Sequence, residues 1–271
     1  MSQPINLSVP SPWNEVATGY AEEVLPMFTL YAQDALRLAE VPEGAEVLDV
    51  ACGPGTLALL AAERARRVVA VDFAPEMLEV LRARAAEEGI TNIEARVADG
   101  QMLPFIRESF DRAFSMFGLI FFPDRSAGFR EMRRVLRPGG RAVVSSWRPL
   151  EHVPLLKTFY EALGEELNGF PFGDGKAPLG DEESLRGEMQ DAGFRSVRVH
   201  PVSHSVTVPS TARFWDANQR SSAPLAILRR SVTPERWDEI GRRVVDRLRS
   251  EVGEGPVEMS WPALIAVADR G

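Results

Sequence analysis

The segment Val47-Leu48-Asp49-Val50-Ala51-Cys52-Gly53-Pro54-Gly55-Thr56 constrains this chain more than any other. A short apolar run of strand length leads into a turn of small residues, and an apolar helix follows from Leu57. A strand, a glycine-bearing turn and a helix in that order open a parallel α/β unit whose turn faces a ligand. The spacing narrows the ligand. A dinucleotide site wants G-x-G-x-x-G, so that a pyrophosphate can approach the backbone closely. Here the small positions are Ala51, Gly53 and Gly55, and Thr56 follows where that pattern would continue. Pro54 also removes one N–H donor from the loop. Such a turn is poorly equipped to cradle a pyrophosphate.

Strand and helix patterns then alternate to about residue 147. Strands are predicted at 46–51, 68–71, 93–98, 110–115 and 141–147, and helices at about 56–65, 75–88 and 124–137. Pro75 in the first turn and Gly89 just past the end punctuate the second of these helices. Alternation of this kind means a parallel sheet with right-handed crossovers. Before it, residues 1–12 read as an extended arm. Apolar residues from Val16 to Leu38 fall at helical spacing, with Pro26 expected to split that stretch into two helices. After it come a helix around Leu155–Leu163, a helix capped by Asp181, a strand at 194–199 and a possible edge at 203–208. Helices are predicted at about 210–229 and 234–251, and a closing strand at about 257–268. The division expected is a helical cap over 1–44, a ligand-binding core over 45–202, a helical substrate cover over 203–256, and a last strand over 257–271 that completes the core sheet.

Successive strand ends carry further ligand chemistry. Asp72 ends the second strand, 17 residues past Gly55, near the offset at which an acid accepts from ribose hydroxyls. Asp99-Gly100-Gln101 follows the third strand, where a carboxylate can accept from an exocyclic amine. Ser115 ends the fourth strand and opens the apolar loop Met116-Phe117-Gly118-Leu119-Ile120-Phe121-Phe122. For each residue there is a plainer reading: a capping Asp, a turn Asp, or core packing for about half of the apolar loop.

Taken in register, the turn at 51–55, Asp72, the Asp99-Gly100-Gln101-Met102-Leu103-Pro104-Phe105 run, the loop after Ser115 and Val135-Leu136-Arg137-Pro138-Gly139-Gly140-Arg141 resemble the motifs of the class I S-adenosylmethionine-dependent methyltransferases over about 45–147. The resemblance implies an α/β, Rossmann-like, doubly wound and mostly parallel seven-stranded sheet with a helical lid. It also implies S-adenosylmethionine as cofactor, held by Asp49, Ala51, Gly53, Gly55, Asp72, Phe73, Met77, Asp99, Gly100, Gln101 and Ser115, with Tyr20 closing over it. Asp49 matches the acid that reaches the cofactor's amino group. Ala51 stands where most members carry Gly, and its Cβ resists a positive φ there. The chain is also similar to the quinone C-methyltransferases around 134–140. It departs from them at Val143-Val144-Ser145-Ser146-Trp147, which lacks their Glu before Ser, and near Trp13-Asn14.

Methyl transfer needs alignment and exclusion of water, with a base only where the acceptor is protonated. His152, shortly after the fifth strand, is the candidate base; His200 and His204 read as structural. Phe117, Phe121, Trp147, Phe28 and Trp215 are the candidate acceptor contacts, which favours a small apolar or aromatic acceptor and methylation at oxygen. Methylation at carbon of a quinone-like or polyketide-like acceptor, and a module that binds the cofactor without turnover, are the alternatives. An NAD-dependent dehydrogenase fits the turn spacing badly.

Composition limits the rest. A net charge of −8 argues against nucleic acid or an anionic membrane as partner. One cysteine, Cys52, permits no internal disulfide, no cysteine-rich metal site and no arsenite chemistry, and it reads as a packing residue of the turn. No metal is expected. The start lacks a basic segment followed by an apolar run, and no stretch approaches 18 apolar residues, so the cytoplasm is the expected location. The oligomeric state is left open.

Overall fold

The Val47–Val50 run forms the strand β1 (Glu46–Val50), in which all five residues are buried. A strand buried on both faces sits in the middle of a sheet covered on both sides. In the computed structural model, which describes residues 5–167 and 177–271, β1 lies between β2 (Arg67–Asp72) and β4 (Phe110–Met116), parallel to both. β3 (Ile93–Val97) extends the sheet beyond β2, and β5 (Leu136–Trp147) beyond β4, again in parallel. β7 (Val257–Asp269) inserts antiparallel between β5 and β6 (Arg195–Val208). The seven strands run in the order β3-β2-β1-β4-β5-β7-β6. Strand order reverses between β1 and β4, so the crevice outside the carboxyl ends of these two strands is where an open sheet of this kind binds its ligand.

Helices α2 (Thr56–Ala62), α3 (Pro75–Glu87), α4 (Arg125–Val135) and α6 (Glu182–Asp191) cover the sheet. Their apolar residues and alternate sheet residues make two cores. One holds Val47, Leu57, Leu78 and Leu81; the other holds Leu48, Phe129, Met132 and Leu136. A third core, with Phe159, Trp215, Trp237 and Ile240, lies among α5 (Pro154–Glu166), α7 (Thr211–Ser221), α8 (Ala223–Arg230) and α9 (Pro234–Val252). That helical group, the segment expected to be a cover, packs beside β6 and against α1.

Four expectations change. α1 (Pro10–Ala39) is one helix through Pro26, not two. Pro26 is exposed, so water can serve the carbonyl its ring leaves without a donor. Buried residues on both sides, from Val16 to Ala39, hold the two halves in line. β6 runs from Arg195 to Val208, paired along β7 with a register shift between Arg195 and Arg198, so residues 203–208 belong to the sheet and not to a helical segment. The predicted helix at 210–229 is two, α7 and α8, because Pro224 starts a new one. Of the predicted arm at 1–12, residues 1–4 lie outside the described residues, and α1 begins at Pro10.

Candidate cofactor and acceptor site

The turn after β1 is built on left-handed backbone. Ala51, Gly53 and Gly55 have φ of +54, +53 and +82°. The alanine therefore takes the conformation that its Cβ resists, against the expectation from sequence, at a cost of roughly 1–2 kcal/mol. Gly55 caps α2, and a Cβ there would lie 2.1 Å from Leu81, so Gly55 shapes the turn without lining a cavity. The turn closes against Gly118: a Cβ on Gly118 would lie 2.4 Å from that of Ala51. Phe117, just before it, is buried with φ +58°. Backbone held in such conformations by its surroundings clusters at ligand sites.

Asp72 fixes the other side. Its Oδ2 accepts from the Gly53 N–H at 2.8 Å, and its Oδ1 accepts from the Ala74 N–H at 2.9 Å. Burial pushes its carboxyl up to about 6 even though these N–H donors pull the other way. Asp49 lies deeper. Burial, and then the charge of Asp72, push it up to about 8. Asp49 Oδ2 and Ser115 Oγ are both buried without a hydrogen-bond partner. Neither acid has a cationic partner among the described residues. Two buried carboxylates without a counter-ion disfavour an anionic ligand and favour one that brings positive charge.

A cavity of about 180 Å³ opens above them, lined by Ala51, Gly53, Asp72, Phe73, Met77, Asp99, Gly100 and Gln101 on the sheet side and by Tyr20 and Trp13 from α1. Burial, reinforced by Asp72, holds the Tyr20 hydroxyl well above its ordinary range, so it stays protonated as a donor. Gly100 must be glycine because a Cβ would lie 2.5 Å from the Phe122 ring and 2.8 Å from Val50. The exposed carboxylate of Asp99 accepts from the Gln101 backbone N–H at 2.8 Å.

A second cavity of about 530 Å³ lies beside the first and shares Trp13, Tyr20, Phe117 and Phe121 with it. Aromatic rings make much of its wall. Phe117 and Trp147 stack with centroids 3.7 Å apart, and Phe28 meets both edge-on. Tyr31 buttresses the pair from behind, with its hydroxyl donating to the Trp261 carbonyl.

Two sequence-based candidates fall outside. His152 is exposed, lines neither cavity and touches only Arg148 at 3.4 Å, because the short helical turn at Leu150–His152 points it outward. It is not placed to take a proton from anything in the cavity. Trp215 is buried against Phe159 and Trp237 in the core of the cover, and its neighbour Phe214 faces the cavity instead. Asp49 and Ser115 stand behind the first cavity's lining rather than in it. Cys52 is buried in the turn, and burial pushes its thiol up. Sequence reasoning missed Trp13, Glu23, Arg148, Arg213 and Trp261, all of which line the second cavity.

Residues 47–140 match a family profile described as a methyltransferase domain. The demethylmenaquinone methyltransferase of Listeria welshimeri is 31% identical over 199 residues, which cover 65% of this chain and 80% of that protein. The chain belongs to the class I S-adenosylmethionine-dependent methyltransferases. An uncharacterised protein of Mycobacterium tuberculosis is 42% identical over 109 residues, 40% of this chain and 39% of that protein, so the match spans well under half of this relative's length. Among solved structures, Haemonchus contortus phosphoethanolamine N-methyltransferase 2, in complex with S-adenosyl-L-methionine, shares the fold with a TM-score of 0.54 and 19% identity, covering 88% of this chain and 52% of that one. The site suits the cofactor of this methyltransferase family. The cofactor's sulfonium and ammonium bring the positive charge that Asp49 and Asp72 lack. No helix among the described residues is long and apolar enough to cross a membrane.

Proposed function

We propose that this protein transfers a methyl group from S-adenosylmethionine to a small aromatic or apolar acceptor held in the second cavity, with oxygen as the favoured methylated atom. The observation that carries this reading is the common wall. Tyr20, Phe117 and Phe121 line both cavities, so a donor in one and an acceptor in the other meet at the same side chains. Bound in the first cavity, the cofactor supplies an electrophilic methyl on a sulfonium with a neutral leaving group.

The chain's own residues position and exclude. Asp72 is assigned to the ribose hydroxyls, Asp99 and the Gly100 backbone to the adenine edge, and Asp49, behind the lining, to the amino group through a bridging water, with Phe73, Met77 and Gln101 completing the pocket and Ser115 backing it. Phe117 and Trp147 form a flat apolar floor on which an acceptor ring can stack. α1 contributes to the walls of both cavities and α5, α7 and α8 to the wall of the second, and in this reading alignment of donor and acceptor between them supplies much of the rate. The likeness to a demethylmenaquinone methyltransferase favours a second reading, methylation at carbon of a quinone-type acceptor. The test is mass spectrometry of products from a panel of phenols, aromatic acids and quinones incubated with enzyme and cofactor. A gain of one methyl on any of them supports the reading, and its position on oxygen or carbon separates the two. No gain across the panel, with cofactor bound, counts for a binding module.

A further inference from the structure

We propose that Arg148 is the specificity residue of the acceptor cavity, and that it selects acceptors carrying an ionised oxygen. This rests on the methyl-transfer reading and names its substrate class. Arg148 follows Trp147 directly, and its backbone is pinned by an N–H that donates to the Pro262 carbonyl at 3.1 Å. Arg148 is among the residues that line the acceptor cavity and is not among those that line the cofactor cavity.

The charges around the cavity isolate this guanidinium. Arg213 also lines the wall, but it pairs with Glu23, and Glu23 is held by Arg220 as well. The Glu23 side chain is only 8% exposed, so that carboxylate is committed to the two arginines. Arg148 has no carboxylate partner among the described residues; among these its guanidinium makes one hydrogen-bonding contact, with the exposed ring of His152 at 3.4 Å. In a chain of net charge −8, a half-buried arginine without an acid beside a large apolar cavity is left with donors to spend on a ligand.

The second observation is the lack of a base. The other titratable groups lining this cavity among the described residues are Tyr20, Tyr160, Glu23 and Arg213. Burial raises both tyrosines, and Glu23 is paired twice. None of these can readily accept a proton from a neutral acceptor. An acceptor that binds with its oxygen already ionised needs no base, and an arginine at the cavity wall is the group that would hold it so. A carboxylate, a phenolate and an enolate share this chemistry.

The test is ligand binding, read by the fluorescence of Trp147 and Trp261 in the cavity wall, with the protein saturated by S-adenosylhomocysteine. The probes are 2-naphthoate against naphthalene-2-carboxamide, and 1-hydroxy-2-naphthoate against its amide. A phenolate arm uses 4-nitrophenol above and below its pKa. Wild type is expected to bind each ionised probe about tenfold or more tightly than its neutral partner. Arg148→Gln should erase that preference, Arg148→Lys should keep part of it, and both variants should keep wild-type affinity for S-adenosylhomocysteine. Equal binding within each pair, no binding of any probe, or an unchanged preference in Arg148→Gln overturns the proposal. Failure to bind S-adenosylhomocysteine in wild type overturns instead the methyl-transfer reading beneath it.

Discussion

The contact between Ala51 and Gly118 gives a prediction with a sign and a size. A Cβ on Gly118 would lie 2.4 Å from the Ala51 Cβ, and its next neighbours would be Ser115 Oγ at 3.2 Å and the Ala51 carbonyl at 3.4 Å. Two carbon atoms rest near 3.5–4.0 Å, so Gly118→Ala must push the two loops apart by about 1 Å or more. Overpacking of this kind costs about 1–3 kcal/mol. Ala51→Gly acts in the opposite direction. It releases an alanine from φ +54°, worth roughly 1–2 kcal/mol, against roughly 0.5–1 kcal/mol for the added freedom of the unfolded glycine. With Gly at 51 the 2.4 Å clash is gone, and an alanine at 118 meets only the tight but tolerable contacts. The double variant should therefore be near wild type, with a coupling of about 1–3 kcal/mol between the two sites. Urea unfolding of the four proteins measures it, and calorimetric titration with S-adenosylmethionine should show the same rescue, since both loops border the cofactor cavity. If the two changes add within about 0.5 kcal/mol, the packing argument is wrong.

Two other perturbations probe the same region. Asp49 and Asp72 hold their protons more tightly folded than unfolded, at about 8 and about 6 against 3.8. Their contribution to the stability of the ligand-free protein is therefore fully present below pH 3.8 and is lost as pH rises through 6 and then 8. Asp49→Asn should flatten the upper part of that fall, which melting temperature against pH reads directly. Cofactor affinity should run the other way and increase from pH 5 to 8 as the acids ionise. Gly19→Ala would place a Cβ 2.2 Å from the Arg220 carbonyl, forcing α1 away from α7 at about 1–3 kcal/mol. The melting temperature should fall, and cofactor affinity with it, because Tyr20 moves with the helix; unchanged affinity would remove α1 from the cofactor site.

The core of the fold was legible because its signals are local. The 47–56 segment carries its own strand, turn and helix start, and Asp72, Asp99 and Ser115 mark successive strand ends by position alone. The acceptor side was legible only in part. Phe28, Phe117, Phe121 and Trp147 could be named from apolar content near the ligand edge, but that criterion cannot tell a cavity wall from a helical core, and so it chose Trp215 over Phe214. Trp261 reaches the site through the pairing of β7 with β6, where it sits opposite His204, a relation between distant segments that no spacing encodes. Partners decide the availability of Arg148 and Glu23, and sequence does not show them: Glu23 finds two arginines on α7, while Arg148 finds no carboxylate among the described residues. Pro26 misled for a related reason, since a local rule against proline in helices yields where burial on both sides holds the helix straight.

The central claim is that the negatively charged cavity between the 51–55 turn and Asp72 holds an adenosyl sulfonium. Isothermal titration of the protein with S-adenosylmethionine, and separately with NADH, tests it most directly. One S-adenosylmethionine should bind per chain, Asp72→Ala should weaken it about 10- to 100-fold through loss of charge-assisted hydrogen bonds, and NADH should give no heat. Heat from NADH with none from S-adenosylmethionine, or full affinity in Asp72→Ala, would contradict it.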